Sequence, residues 1–306
     1  MKTVIGIDAG GTSIRAGLVT KHGKLLQVIA EPTPKKNILA TIKAMIKKLR
    51  RDDTIAVGIG IAGPIDQKKG TIYPPNIPSL KGTNLKKAFR RLSLPVVIEN
   101  DSNCFILAEQ KKGAAKGYRD VIGITIGTGI GGGIIINNNL YTGKDGSAGE
   151  FGHITIDATC QTPGYPINGS LESMASGRAT ERRARELVME NTRTIIRKNP
   201  TMPDIITAAK QEDSLALMIL DDLGRHLGTG IASILNAFDP ECIVLGGSVA
   251  QALPLFRESM KDEIKKRSVE PARSSAIIQA KLDHPGIIGA ALAAASTAIS
   301  ASERKL

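Results

Sequence analysis

Apolar and polar positions along this chain fall into two kinds of pattern, and the same arrangement of them occurs twice. Short runs rich in β-branched residues at Thr3 to Ile7, Arg15 to Val19 and Leu25 to Ile29 predict strands. Ile38, Leu39, Ile42, Met45, Ile46 and Leu49 fall at helical spacing and predict a helix over 38–49. A strand is predicted at Ile55 to Ile61. Another at Val96 to Ile98 leads through Asp101 into a helix over 104–113. The second half repeats the theme with Val121 to Ile126, a glycine loop and Gly133 to Ile136, and later Ile243 to Leu245 before Gly246-Gly247-Ser248 and a helix. This reads as an α/β chain with a duplicated β-loop-β unit, one copy per lobe. Clustered glycines at 113–117 place the boundary, giving an N-terminal lobe at 1–116 and a C-terminal lobe at 117–285.

Each copy carries a glycine-rich turn between its apolar runs: Asp8-Ala9-Gly10-Gly11-Thr12 in the first and Gly127-Thr128-Gly129-Ile130-Gly131-Gly132-Gly133 in the second. Glycine permits positive φ and close backbone approach, so such turns can present N–H groups to phosphate oxygens. Between them, Glu99-Asn100-Asp101-Ser102-Asn103 follows a strand, at the edge where open α/β sheets place their chemistry. The constellation points to phosphoryl transfer, with Asp101 as candidate base. Plainer readings stand beside it. Asp8 can be a turn former, Asp101, Asn100 and Asn103 can serve as helix caps, and 127–133 can be a hairpin.

Composition narrows the classes. A chain of 306 residues, 42% hydrophobic, can bury the cores of two domains at about 100 to 200 residues each. Cys104, Cys160 and Cys242 show no paired spacing, which argues against a disulfide framework or a metal knuckle and for a reducing cytoplasm. Asp8 interrupts the first apolar run, so no signal peptide is expected, and no stretch is long enough to span a bilayer. The net charge of +12 invites a nucleic-acid reading. Lysines and arginines are nevertheless spread over amphipathic patterns and aromatics make up only 3%, so a solvated surface is expected instead.

Taken together, these motifs resemble the ROK family of sugar kinases and repressors, in the actin, hexokinase and Hsp70 ATPase superfamily. The resemblance covers nearly the whole chain. Asp8 to Thr12 is similar to the family's first phosphate motif, and Gly63-Pro64 and Asn76 to its sugar-side loops. Glu99 to Asn103 is similar to the catalytic ENDxN segment, Gly127 to Gly133 to the second phosphate motif, and Glu150-Phe151-Gly152-His153 to the ExGH sugar motif. Glu172 matches the acid closing the signature and Gly246-Gly247 the adenosine motif.

The resemblance implies a two-lobed actin-like, ribonuclease H-like fold with an interlobe cleft and a C-terminal helix at 286–306 completing the N-terminal lobe. It implies ATP-dependent phosphorylation of the 6-hydroxyl of a hexose: glucose first, with N-acetylmannosamine, fructose or another hexose as alternatives. Asp101 would be the base, and Asp8 would hold Mg²⁺ through water. Gly10, Gly11, Thr12, Gly127, Thr128, Gly129, Gly246 and Gly247 would contact nucleotide. Gly63, Asn76, Asn100, Asp101, Glu150, His153 and Glu172 would contact sugar. It further implies a homodimer, while cysteine usage, the spread of charge and the short apolar runs point to a cytoplasmic protein that engages neither nucleic acid nor membrane. The family's repressors suggest a second class, a sugar-sensing regulator, although they carry an added DNA-binding segment before the first strand.

One departure stands out. Many ROK proteins bind a structural zinc through the ExGH histidine and three cysteines of a CxCGxxGC pattern. The matching positions here are Pro163, Tyr165 and Ser170, and Cys160 lies three residues too early. Such a site needs four N or S ligands, so no structural zinc is expected, and the surrounding prolines, Pro163 and Pro166, are expected to stiffen the loop instead.

Overall fold

The computed structural model describes residues 1–66, 69–74, 76–190 and 193–303. The strands are β1 (Thr3–Ala9), β2 (Ser13–Thr20), β3 (Leu25–Pro32), β4 (Thr54–Ile61), β5 (Ile65–Asp66), β6 (Thr71–Ile72), β7 (Thr83–Asn84), β8 (Val96–Asn100), β9 (Val121–Ile126), β10 (Ile130–Ile136), β11 (Asn139–Tyr141), β12 (Cys242–Gly246) and β13 (Ala276–Gln279). The helices are α1 (Ile38–Leu49), α2 (Leu85–Ala88), α3 (Asp101–Lys112), α4 (Leu171–Ala175), α5 (Gly177–Glu190), α6 (Met202–Lys210), α7 (Ser214–Phe238), α8 (Leu253–Arg267) and α9 (Pro285–Glu303).

The duplication is written in the strand order. One five-stranded sheet runs β3-β2-β1-β4-β8 and the other β11-β10-β9-β12-β13, so β1 and β9 hold the same central place. In each copy the turn after the central strand spans three residues, 10–12 and 127–129. A small three-stranded sheet, β5-β6-β7, carries the loops around Gly63 and Asn76. By contacts the chain divides into one compact unit of Met1–Gly123, Gly133–Ala148 and Ala280–Leu306, and another of Ile124–Gly132 and Gly149–Gln279. No helix among the described residues is long and apolar enough to cross a membrane.

The first sheet is apolar on both faces because both are covered. Ile5, Ile7, Ile14, Leu18, Ile59 and Ile61 pack under Ile38, Ile42, Met45, Ile46 and Leu49 of α1. The alternate residues Val4, Val19 and Ala56 pack under Ile287, Ala291, Ala294 and Ala295 of α9. The second contact is very close. A Cβ at Gly6 would strike the Ile287 carbonyl, one at Gly58 the Ala290 carbonyl, and one at Gly289 the Cys104 carbonyl of α3. Small residues at these points let α9 lie almost on the backbone, where it brings its N-terminus to the end of β1.

Two boundaries differ from the sequence reading, for local reasons. Helix α3 begins at Asp101 rather than near Cys104, because Asn100 caps it: its Oδ1 accepts the N–H groups of Ser102 at 2.8 Å and Asn103 at 3.3 Å. Asp101 is therefore not the cap. The second glycine turn is also shorter than its glycines suggested, since Gly131 to Gly133 lie within β10. There they admit close neighbours: a Cβ at Gly132 would meet Phe151 and the Gly149 carbonyl, and one at Gly133 would meet Ile106 and Ser102.

Candidate active site

In the first unit the chemistry gathers at the C-terminal ends of β1 and β8. Asp8 closes β1 opposite Arg15 of β2, their cross-strand register pairing them on one face. Gly286, in the first turn of α9, abuts the Asp8 carboxyl group, placing that carboxylate at a helix N-terminus. Burial pushes the Asp8 pKa up to about 6, helped by the charge of Asp101 and opposed by Arg15. Asp101 is raised as well, first by burial, against the Ser102 N–H that its Oδ1 accepts at 2.9 Å. Two neighbouring carboxylates are thus each pushed above their ordinary range chiefly by desolvation. Such a pair suits a hard divalent cation, which binds through one or two carboxylates and completes its shell with water and phosphate oxygens.

The support beneath Asp101 is a polar scaffold. Glu99 Oε1 accepts the Asn100 N–H at 2.8 Å and the Asn103 Nδ2 at 2.9 Å, with burial raising its pKa. Asn100 in turn donates through Nδ2 to the Gly63 carbonyl at 3.3 Å, linking the 99–103 segment to the loop before β5. Gly11 lies against Asn76, where a Cβ would sit 2.9 Å from that residue's backbone oxygen. The turn at 10–12 is closed by Gly10 N–H on the Ser13 carbonyl at 3.1 Å, and pinned by Thr33, whose hydroxyl donates to the Gly10 carbonyl at 2.6 Å and whose N–H donates to Thr12. Gly63, Asn76, Asn100, Asp101, Asp8 and Gly10 to Thr12 thus belong to one unit.

The second unit holds the other motifs. The turn at 127–129 is closed by Gly127 N–H on the Gly129 carbonyl at 2.9 Å, and Gly177 at the start of α5 donates to the Gly127 carbonyl at 2.8 Å. Glu172 Oε2 accepts the Ile130 N–H at 2.8 Å, so one carboxylate oxygen braces the glycine turn. Gly247, at φ 88°, packs against the backbone of Ile126, which sets the Gly246-Gly247 turn beside the same loop. In the Glu150 to His153 turn, His153 N–H donates to the Glu150 carbonyl at 3.0 Å and both outer residues are exposed. Gly152 is confined to glycine by the Ile130 carbonyl, and Phe151 anchors the turn edge-on to Phe238 with centroids 5.7 Å apart.

Arg15, Thr33, Gly286 and Gly177 escaped the sequence reading. Thr33, Gly177 and Gly286 act across long separations, and none of the four carries a local motif. Only the duplicated loops could have hinted that Thr33 and Gly177, after the respective turns, would pin them.

Among the described residues no group of three or more His, Cys, Asp or Glu side chains is placed to hold a metal ion. At the positions where the ROK resemblance would put zinc cysteines, Ser170 caps α4, accepting Ser173 N–H at 3.3 Å, and the Tyr165 ring lies under Arg178 and Arg182 with their guanidinium carbons 5.0 and 5.4 Å from its centroid. This donor set does not fit a tetrahedral zinc.

The paired sheets of identical order, each with a phosphate-type turn after its central strand, define the two-lobed actin-like ATPase fold. The chain belongs to the ROK family, whose profile matches residues 4–297. It is 35% identical over 309 aligned residues to a glucokinase of Streptomyces coelicolor, covering 95% of this chain and 97% of that one. A crystal structure of a ROK family glucokinase from Streptomyces griseus with glucose and AMPPNP superimposes with a TM-score of 0.82 at 35% identity, covering 96% of this chain and 99% of that one. The chain is also 31% identical to a xylose repressor of Bacillus subtilis, over 86% of this chain and 68% of the repressor.

Proposed function

We propose that this protein is an ATP-dependent hexokinase that transfers the γ-phosphoryl group to the 6-hydroxyl of a hexose, with glucose the first candidate. The observation that carries this reading is Asp101: a buried carboxylate at the first turn of α3, raised in pKa, beside a second carboxylate and not needed as a helix cap. A base with a raised pKa is better matched to taking a proton from a hydroxyl near neutral pH. In this reading Asp101 accepts the 6-hydroxyl proton as the oxygen attacks phosphorus. The 10–12 and 127–129 turns offer N–H groups to the phosphates, and Gly246-Gly247 lies along the nucleoside. Asp8 would hold Mg²⁺ through water; the ion would supply charge neutralisation of the phosphates. Asn76, Asn100, Glu150, His153 and Glu172 together with Gly63 present fixed donors and acceptors to sugar hydroxyls.

The similarity to a glucokinase over nearly the full length of both chains supports glucose over other hexoses. A coupled ADP-release assay with MgATP against glucose, mannose, fructose, allose, N-acetylmannosamine and N-acetylglucosamine tests the proposal. Turnover of glucose with the highest kcat/KM is expected. Absence of turnover with every sugar, in folded protein, overturns it.

The resemblance to the xylose repressor favours one second reading, a sugar-sensing regulator. It predicts sugar binding by calorimetry without phosphorylation.

A further inference from the structure

Residues 154–171 form a narrow hairpin that delivers α4, and its tip is tied by polar groups together with the Tyr165 ring, which lies under Arg178 and Arg182. At its base Leu171 N–H donates to the Ile154 carbonyl at 2.9 Å, and the N–H groups of Ile156 and Asp157 both reach the Gly169 carbonyl, at 2.9 and 3.1 Å. At its tip Asn168 Oδ1 accepts the Thr162 N–H at 3.0 Å and the Thr162 hydroxyl at 3.3 Å. The same hydroxyl accepts the Gly169 N–H at 3.1 Å, and Asn168 Nδ2 donates to Gln161 Oε1 at 2.8 Å. Asp157 closes the other side, with Oδ1 accepting the Thr159 N–H and hydroxyl and the Cys160 N–H at 2.7 to 3.2 Å.

Apolar packing does little for this tip. A cavity of about 250 Å³ lies beneath it, lined among others by Cys160, Thr162, Met174, Arg182 and His226. Thr162 is nevertheless almost fully buried, so its hydroxyl and N–H depend on Asn168 and Gly169 for partners. This is the stretch in which the ROK resemblance would place three zinc thiolates, and its side chains cannot bind that metal.

We infer that the Thr162–Asn168–Gly169 staple does in this chain the positioning work of a metal cluster, and that Asn168 is a positioning residue for the sugar site. The staple holds the hairpin closed, the hairpin fixes Ser170 and the start of α4, and α4 carries Glu172. At the other end of the hairpin the chain runs through Ile154 into His153. Loosening the tip therefore misplaces two of the proposed sugar contacts at once, while Asp101 and Asp8 belong to other elements. The inference rests on the proposed kinase reading for its effect on sugar, but not for the staple itself.

The experiment compares wild type, Asn168→Ala and Asn168→Asp. Aspartate keeps the Oδ1 acceptor that Thr162 uses, whereas alanine removes it. Amide hydrogen exchange in the sugar-free protein is expected to show Thr162 and Gly169 protected in wild type and Asn168→Asp, and exchanging freely in Asn168→Ala. The sugar KM is expected to rise about ten-fold or more in Asn168→Ala, with kcat within about two-fold, because ground-state contacts are lost rather than transition-state ones. Asn168→Asp restores the wild-type KM. Elemental analysis of wild-type protein is expected to find no stoichiometric zinc, and treatment with a zinc-selective chelator leaves the sugar KM unchanged.

Unchanged exchange and KM in Asn168→Ala, or bound zinc whose removal shifts KM, overturns the inference. If no sugar is turned over, the kinase reading has failed, and the exchange and zinc measurements still decide whether the staple is present and metal-free.

Discussion

Glu172 Oε2 accepts the backbone N–H of Ile130 at 2.8 Å, so the acid on α4 holds the first residue of β10, directly after the second glycine turn. A Cβ on Gly129 would strike the same oxygen, which explains why that turn position must stay bare. Glu172→Ala leaves this N–H without its partner, a cost of about 1 to 3 kcal/mol for a buried donor. The expected outcome is a MgATP KM raised five-fold or more by this loss, roughly as that energy converts. Glu172→Gln retains an amide oxygen and is expected to stay near the wild-type MgATP KM while weakening sugar. Steady-state kinetics with each substrate varied in turn checks both.

Asp101→Asn is expected to lower kcat by roughly 10²- to 10⁴-fold, the usual contribution of a general base. The melting temperature should fall little, because Asn100 and not Asp101 caps α3. Near-normal turnover in this variant would remove Asp101 from the chemistry.

Asp8 makes the ligand-free protein sensitive to pH. Its folded pKa of about 6 lies above its ordinary value of 3.8, so its contribution to stability is fully present below about pH 4 and is lost as pH rises through 6. The span between those values amounts to roughly 3 kcal/mol. Burial raises Glu99 and Asp101 in the same direction. Melting curves from pH 4.5 to 7.5 should therefore show wild type losing stability as pH rises, Asp8→Asn losing less, and added Mg²⁺ with nucleotide restoring wild type alone.

Glu109 is a fully buried carboxylate with a structural task. It accepts the N–H groups of Ala114 at 2.7 Å, Lys281 at 3.1 Å and Leu282 at 2.9 Å, tying the end of α3 to the connection between β13 and α9. Glu109→Ala strands three donors and is expected to destabilise the protein by about 3 kcal/mol or more. Glu109→Gln, with one oxygen left, should lose less. Urea unfolding measures the difference.

The parts legible in the sequence were those with local signatures. β-branched runs marked the central strands, glycines marked both turns, and the spacing of Ile38 to Leu49 marked α1. The α/β class and the duplicated β-loop-β unit followed from these, while the order of strands in each sheet came only from the structure. Other features depended on distant residues. Nothing around Glu109 announces that its partners lie 172 and 173 positions away, and nothing around Gly286 announces Asp8. The sequence leaves Asn100, Asp101 and Asn103 all open as caps of α3, and only backbone geometry selects Asn100. The hairpin at 154–171 was expected to rely on proline stiffness. Its bonds run through Thr162, Asn168 and Asp157, common polar residues whose spacing carries no recognisable motif.

Helix α9 covers the face of the first sheet made by Val4, Val19 and Ala56, yet it comes from the last residues of the chain. During synthesis the N-terminal strands emerge hundreds of residues before their cover. Until Ile287, Ala291 and Ala294 leave the ribosome, that face is an open apolar surface on the nascent polypeptide. A ribosome stalled before Pro285 would therefore display this sheet with one apolar face bare, the kind of transiently exposed surface on which nascent chains aggregate.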